Sequence, residues 1–172
     1  KADMIIKPEE LKATILKLKN EEGYNLLLDI TAVDYLSHHE KSEHRFALIY
    51  ILRNKTFEKS ITIKTFLDND NLEVETISDL YYSADWAERE PYDQYGIKFL
   101  NHKNLKRVLN HHQFSGHPLR KDYIITAGQV CTETESLMDE MTPLLNSKGY
   151  TKEDQEELMM LNIGPSHPAS HG

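Results

Sequence analysis

The 172-residue sequence lacks several features that mark particular classes of protein. It has one cysteine, Cys131, which excludes an internal disulfide bond and a cysteine-cluster metal site. Its apolar runs stay well short of the roughly 20 residues that a membrane-spanning helix needs, and its first residues lack the apolar core of a signal peptide. It also has no glycine-rich phosphate-binding loop and no nucleophile elbow. We therefore expect an ordinary soluble composition and a cytoplasmic location.

The net charge of −8 is distributed unevenly along the chain. Residues 126–160 carry eight acidic side chains and two lysines, whereas residues 1–125 carry 20 acidic and 18 basic side chains. A change in composition of this kind predicts a domain boundary near Tyr123. The predicted parts are a domain of residues 1–123, an acidic and weakly helical or disordered linker of residues 124–158, and a further segment of residues 159–172.

The hydrophobic pattern predicts a helix followed by strands. Leu11, Ile15 and Leu18 recur at helical spacing after Pro8, which predicts an amphipathic helix over residues 8–22. Alternating or continuous apolar runs then predict three strands, and their short connections favour an antiparallel meander. These strands cover residues 26–32, 46–52 and 57–67.

A second helix is predicted after a polar loop. Ser78 is a suitable N-cap for a helix over residues 79–93, and Pro91 should end or bend that helix near Glu90. The pattern as a whole predicts an α+β domain with a mainly antiparallel or mixed sheet of about four to five strands and two packed helices, followed by an extended C-terminal arm and tail. Two short elements come after the second helix, at residues 97–100 and 105–109.

The second predicted helix carries a cluster of charged side chains. Glu88 and Glu90 could act as general acid and base, because paired carboxylates do so when their environments separate their pKa values. They flank Arg89, however, and point in different directions on a helix, which favours salt-bridged packing or a partner interface. Arg89 also stands at i,i+4 spacing from Asp85 and Asp93, which predicts ion pairs on one helix face.

A basic run of residues 98–121 follows, and it contains His102, His111, His112 and His117. These histidines lack helical ligand spacing and have no carboxylate among them, which argues against a metal site. The negative charge of the chain argues against nucleic acid as a partner. A stand-alone module that binds metal or nucleic acid through this run stays open as an alternative. Three other histidines fit a solvated polar loop: His38, His39 and His44.

The sequence GHPLRKDY at residues 116–123 predicts an extended arm. Pro118 removes a backbone donor and biases His117 toward an extended conformation, while Leu119 and Tyr123 can act as anchors. We predict that this arm leaves the domain and lies on a partner; an ordinary C-terminal turn is the alternative. The residues predicted to face a partner are Glu88, Arg89, Glu90, Tyr92, Asp93, His117, Arg120, Lys121, Asp122 and Tyr123.

Three motifs together resemble one known family. W-x-E-R-E-x-Y-D-x-x-G-I-x-F begins at Trp86, L-x-R-x-L begins at Leu105, and G-H-P-L-R-K-D-Y begins at Gly116. They resemble the signature of the C subunit of proton-pumping NADH:quinone oxidoreductase, which is respiratory complex I. The resemblance covers nearly all of residues 8–123. It departs from the family at residues 101–105, where a turn similar to His-Pro-Asp-Leu is more usual.

The C-terminal sequence NIGPSHPASHG resembles the opening of the D subunit of the same complex. In that family a G-P-x-H-P-x-x-H-G loop lines the quinone pocket, and its second histidine contacts the quinone head group. The matching positions are His167 and His171, which the resemblance makes quinone-binding residues. It implies a fused C–D polypeptide that stops at Gly172, before the rest of the D part.

The resemblance implies a structural role. The C subunit is a cofactor-free scaffold, so we expect no catalytic residue in this fragment, no bound flavin, iron–sulfur cluster or metal, and no oxidoreductase activity from the fragment alone. The whole complex uses NADH, FMN, iron–sulfur clusters and quinone, and it couples electron transfer to proton translocation. The implied partners are the D subunit and the neighbouring quinone-module subunits, with indirect membrane contact at the cytoplasmic side of the bacterial inner membrane. The same domain in a membrane-bound hydrogenase or in a dehydrogenase with another donor is the alternative.

Overall fold

The computed structural model describes residues 2–36, 42–56, 58–68, 70–129, 145–149 and 151. The chain divides into two units, Lys1–Gln129 and Val130–Gly172. The first unit contains a four-stranded sheet in the order β1-β4-β3-β2. Its strands are β1 (Met4–Ile5), β2 (Leu26–Asp34), β3 (Phe46–Arg53) and β4 (Ser60–Leu67).

The three long strands form the antiparallel meander that their short connections predict. β3 pairs antiparallel with both β2 and β4. The sheet is nevertheless mixed, because β1 pairs in parallel with β4. The predicted α+β class is therefore confirmed, although no strand was predicted at Met4–Ile5.

The first helix, α1 (Pro8–Glu21), confirms the helix predicted over residues 8–22. Leu11, Ile15 and Leu18 are buried on one face of it and join the hydrophobic core that also contains every second side chain of β3, from Phe46 to Leu52. This burial stabilises the helix more than the intrinsic helix propensity of its residues can. Among the helices of the described residues, none is both long enough and apolar enough to cross a membrane.

The second predicted helix is shorter than the sequence indicates and is split. Its two parts are α2 (Ala84–Ala87) and α3 (Arg89–Tyr95), with Glu88 between them. Pro91 explains the break, because it has no N–H to donate to the carbonyl group of Ala87. The expected N-cap at Ser78 is wrong, since Ser78 lies in a turn that precedes the helix.

Two short strands flank these helices. β5 (Glu73–Glu75) pairs in parallel with β6 (Lys98–Leu100), which confirms the strand predicted at residues 97–100. Gly96 joins α3 to β6 in a left-handed conformation with φ of 76°, which glycine adopts without the steric cost of a side chain. The regular element expected at residues 105–109 is absent from the described structure, in which those residues form an irregular segment.

Candidate interaction site

Asp93 lies in α3, and its carboxylate is the central polar group that holds the irregular segment after β6. Its side chain is fully buried, and it accepts five hydrogen bonds. Oδ1 accepts from Arg107 Nη1 at 2.6 Å and from Asn110 Nδ2 at 3.0 Å. Oδ2 accepts from the backbone N–H groups of Val108, Leu109 and Asn110 at 3.1, 2.8 and 2.8 Å. One carboxylate therefore holds an irregular loop that has no backbone ladder of its own.

These hydrogen bonds also determine the charge of Asp93. Burial by itself would raise the pKa of the carboxyl group. The bonds from Asn110, Arg107 and Leu109 outweigh burial and lower the pKa of Asp93 to about 2. The side chain is thus ionised across the neutral range, which suits a residue that holds structure rather than one that exchanges protons.

Arg89 is nearly fully buried and holds the same loop from the other side. Its Nε donates to the carbonyl oxygen of Lys106 at 3.0 Å and its Nη2 to that of Arg107 at 2.9 Å. Its guanidinium carbon lies 4.5 Å from the ring centroid of Trp86. The predicted pairs with Asp85 and Asp93 are wrong, because within the described residues Arg89 directs its donors to backbone carbonyl groups instead.

Glu88 is also fully buried, at the break between α2 and α3. Its Oε1 accepts from the backbone N–H of Ile77 at 2.7 Å, and its Oε2 accepts from Thr76 Oγ1 at 2.5 Å. Burial raises the pKa of Glu88 to about 7 despite these bonds. His102 Nε2 lies 3.7 Å from Oε2. Glu88 therefore fastens the turn that leads into α2, and its contacts do not pair it with Glu90 as a general acid and base.

Residues 116–123 fold back onto the domain, whereas the sequence analysis predicted an arm that leaves it. The contacts are made to the backbone at the C-terminal end of α3. Leu119 donates its N–H to the carbonyl oxygen of Gln94 at 3.2 Å, and Arg120 Nε donates to the carbonyl oxygen of Tyr95 at 2.6 Å. The ordinary-turn alternative explains this segment better, because its polar groups are satisfied by the chain itself.

A second carboxylate fastens the end of this segment to the main sheet. Asp34, buried at the end of β2, accepts from the backbone N–H of Lys121 at 2.8 Å and from Arg45 Nη2 at 2.9 Å. Arg45 also forms an ion pair of 2.7 Å with Asp122. Burial opposes ionisation of Asp34, but the hydrogen bonds from Arg45 and Lys121 lower its pKa. The motif residues 121–122 thus contact the β2–β3 end of the sheet.

Close packing at Gly96 links α3 to the folded-back segment. A Cβ atom at Gly96 would lie 2.6 Å from His117 Nε2 and 2.7 Å from Arg120 Nη2. His117 Nδ1 is itself hydrogen-bonded to the carbonyl oxygen of Asp93 at 2.9 Å. Glycine is therefore needed here both for its positive φ and for the space that it leaves.

The remaining predicted partner residues lie nearer the surface. Glu90 is half-buried and lines a groove with Trp86 and Leu109, whose side chains are exposed. Tyr92 packs against the core, and the ring of Tyr123 stacks on Phe114 at a centroid separation of 6.1 Å. The assignment of all ten residues to a partner interface stays a prediction.

The quinone-loop residues His167 and His171 lie outside the described residues, as do His38, His39 and Cys131. Among the residues that the structure describes, no group of three or more histidine, cysteine, aspartate or glutamate side chains is placed to hold a metal ion.

The roles of Asp93 and Arg89 were missed by sequence reasoning because both bind the backbone of a loop about 15 residues away. Their place in the motif that begins at Trp86 was the only feature of the sequence that indicated a special role for these two residues. Helical spacing alone predicts that Asp93 and Arg89 are exposed. In the folded chain they are buried because residues 106–110 cover them.

Comparison with known families identifies the whole first unit. Residues 4–129 match the model of the family described as the 30 kDa subunit of respiratory-chain NADH dehydrogenase. The chain is 40% identical over 118 residues to the C subunit of NADH-quinone oxidoreductase from Citrifermentans bemidjiense, covering 69% of this chain and 71% of that protein. It is 38% identical over 171 residues to the C/D subunit of NADH-quinone oxidoreductase from Bdellovibrio bacteriovorus. That match covers 99% of this chain but 29% of the relative's length.

Solved structures show the same fold. A trypsin-resistant fragment of Nqo5 matches with a TM-score of 0.54 and 30% identity, over 57% of this chain and 77% of that one. A chain of the membrane-bound sulfane sulfur reductase, an archaeal respiratory membrane complex, matches with a TM-score of 0.61 and 25% identity, over 72% of this chain and 71% of that one. Together with the family match, these similarities confirm the resemblance: the chain belongs to the family of the 30 kDa subunit of respiratory-chain NADH dehydrogenase.

Proposed function

We propose that this chain is a structural subunit of a bacterial NADH:quinone oxidoreductase. The observation that carries the proposal is that relatives named as the C or the C/D subunit of that enzyme match 69% and 99% of the chain. The buried charges support a structural role. Asp93, Arg89 and Asp34 each direct their hydrogen bonds to the chain's own loops, and the lowered pKa values of the two aspartates keep them ionised.

Glu88 is the strongest argument for a catalytic alternative. Its pKa of about 7 would suit a general acid or base. Its side chain is fully buried, however, and both oxygens accept hydrogen bonds from Ile77 and Thr76. A proton donor must reach its substrate, so we assign Glu88 to the structure of the turn.

The proposal extends to the cofactors, location and partners of the whole complex. The complex would use NADH, FMN, iron–sulfur clusters and quinone at the cytoplasmic side of the plasma membrane. This chain would bind the D subunit and neighbouring subunits of the quinone module. His167 and His171 would belong to the quinone pocket through the C/D connection. The C/D relatives support this connection, because their similarity extends beyond residue 129.

The test is a complementation experiment in the host bacterium. Removal of this chain should abolish NADH:quinone reductase activity in membranes, and an affinity-tagged copy should restore it and purify with the other subunits. The tagged chain alone should not oxidise NADH. Restoration of activity without co-purification, or unchanged activity after removal, would contradict the proposal.

A second candidate is favoured by the similarity to the sulfane sulfur reductase complex. In that case the same domain would serve a related membrane complex that has a different electron acceptor. One assay distinguishes the two candidates. Membranes that need this chain to reduce a sulfane-sulfur compound, and not quinone, would support the second candidate.

A further inference from the structure

A shallow groove of about 290 Å³ lies between β2, α2 and the loop that Asp93 holds. Leu28, Trp86 and Leu109 stand at its rim, and Val108 and Glu90 also line it. Small-molecule pockets usually enclose about 300–1,000 Å³. The groove is open and stands at the lower limit of that range, and its exposed apolar side chains suit the side chains of another protein better than a whole cofactor.

The rim of the groove is an exposed apolar surface. Leu28 is 50% exposed, Trp86 62% and Leu109 68%. A single exposed apolar side chain is ordinary, whereas several around one concave site mark a place of interaction. Tryptophan is also the residue type that most often dominates the binding free energy of an interface.

Buried polar groups hold two of these rim residues in place. The Arg89 guanidinium lies under the Trp86 ring, and the Asp93 carboxylate accepts the backbone N–H of Leu109 at 2.8 Å. Side chains that are fixed before binding lose less conformational entropy when a partner arrives. The buried side chains of Arg89 and Asp93 therefore fix the positions of Trp86 and Leu109 before a partner binds to the groove.

Glu90 gives the groove its charge. It is half-buried among the apolar rim residues, and the described residues provide it with no hydrogen-bond or ion-pair partner. A carboxylate in such surroundings gains from a cationic partner, because desolvation of an unpaired charge is costly. An arginine or lysine of a bound protein would supply that cation.

We propose that this groove binds a segment of a neighbouring protein of the complex, in which one arginine or lysine stands between apolar side chains. The basic side chain pairs with Glu90, and its apolar neighbours pack on Trp86, Leu28 and Leu109. The proposal rests on the proposed function, since it assumes that the chain is held in a multisubunit complex.

Photo-crosslinking in the intact complex tests the proposal. Leu28 and Leu109 are replaced, one at a time, by benzoylphenylalanine in the tagged full-length chain, and the adducts are mapped by mass spectrometry. We expect both positions to crosslink to one partner segment that contains an arginine or lysine. Glu90→Arg should lower the yield of both adducts at least about tenfold, and Glu90→Gln should lower it less.

Three controls make each outcome decisive. Glu22→Arg, a charge reversal at the exposed end of α1, should leave the adducts unchanged, and benzoylphenylalanine at Leu16 on α1 should give no adduct that depends on Glu90. Thermal unfolding of each variant shows whether it folds; if Glu90→Arg does not, the adduct yield of Glu90→Gln decides. The proposal is overturned if the adduct yield is the same in both Glu90 variants as in the wild type, or if no adduct forms in an assembled complex. It is also overturned if the adducts form with lipid or with a segment that has no basic residue. Failure of the wild-type chain to purify with any other subunit would instead overturn the proposed function, and this inference with it.

Discussion

Arg107 Nη1 lies 2.6 Å from Asp93 Oδ1 and 3.1 Å from the carbonyl oxygen of the same residue. Arg107 therefore binds both the side chain and the backbone of Asp93, while its Nη2 donates to the carbonyl oxygen of Gly116 at 2.9 Å. One arginine thus joins the C-terminal half of α3 to the start of the GHPLRKDY segment. Arg107, which lies in the second of the three family motifs, therefore binds the first motif at Asp93 and the last motif at Gly116.

Replacement of Asp93 should destabilise the domain strongly, because its buried carboxylate holds the loop that contains residues 107–110. Asp93→Asn removes the charge that attracts Arg107 and places an NH₂ group where backbone N–H groups now donate. We expect the free energy of unfolding to fall by about 2–4 kcal/mol. Urea unfolding followed by circular dichroism measures it. The control Asp70→Asn, at an exposed position, should change stability by less than about 0.5 kcal/mol; equal effects would contradict the role of Asp93.

The raised pKa of Glu88 predicts a stability that falls as the pH rises. The folded chain keeps this proton up to about pH 7, whereas the ordinary value for the unfolded chain is 4.5. Unfolding in that window releases a proton, so stability is lost between about pH 4.5 and 7, by about 3 kcal/mol in total. Asp79 and Asp85 act in the same direction as burial, and His102 lies near the group.

Comparison of two variants isolates this effect. His117 contributes the opposite slope, because burial lowers its pKa and the unfolded chain binds that proton more readily. Glu88→Gln should therefore remove only the falling component from the pH profile of urea unfolding between pH 5 and 8. Leu16→Ala, which removes an exposed side chain that does not titrate, should keep the shape of the wild-type profile. Identical profiles for wild type and Glu88→Gln would show that Glu88 is ionised in the folded chain.

Substitution of Gly96 should loosen the folded-back segment. In Gly96→Ala the new methyl group meets His117 Nε2 and Arg120 Nη2, and alanine is also disfavoured at φ of 76°. We expect a loss of about 1–3 kcal/mol in the free energy of unfolding, together with faster trypsin cleavage at Arg120. Gly128→Ala is the matched control, since its Cβ would meet nothing within 4 Å. Similar cleavage rates for the two variants would contradict the packing at Gly96.

The fluorescence of Trp86 reports on its contact with Arg89, because Trp86 is the only tryptophan in the chain. Lysine cannot donate to two carbonyl groups in the fixed geometry of a guanidinium. Arg89→Lys should lower the free energy of unfolding by about 1–3 kcal/mol and make Trp86 more accessible to acrylamide quenching. Lys106→Ala, which removes only an exposed side chain and keeps the carbonyl acceptor, should leave the quenching unchanged. Unchanged quenching in Arg89→Lys would show that the stacking contact does not hold the ring.

Local patterns were sufficient to predict most of the sheet and α1. The alternation of apolar residues in β2 and β4 and the spacing of Leu11, Ile15 and Leu18 reflect burial on one face of an element. The continuous apolar run of β3 reflects burial on both faces of that strand at its start. The parallel strands β1 and β5 were missed, because two or three residues carry no periodicity and their partners lie far along the chain. The second helix was predicted too long, since a good N-cap residue at Ser78 says nothing about whether the turn after it is helical.

Long motifs and hydrophobic periods are local properties, so the family and the order of the main elements could be predicted from the residues alone. The roles of the charged motif residues depend instead on contacts between distant parts of the chain. Asp93 and Arg89 became buried anchors, and residues 116–123 folded back onto the domain, because each buried charge or backbone group needs a partner that sequence spacing does not reveal. Those partners, from residue 106 to residue 121, are brought to α3 and to Asp34 by the path of the chain, and they leave Trp86, Leu109 and Glu90 facing outward.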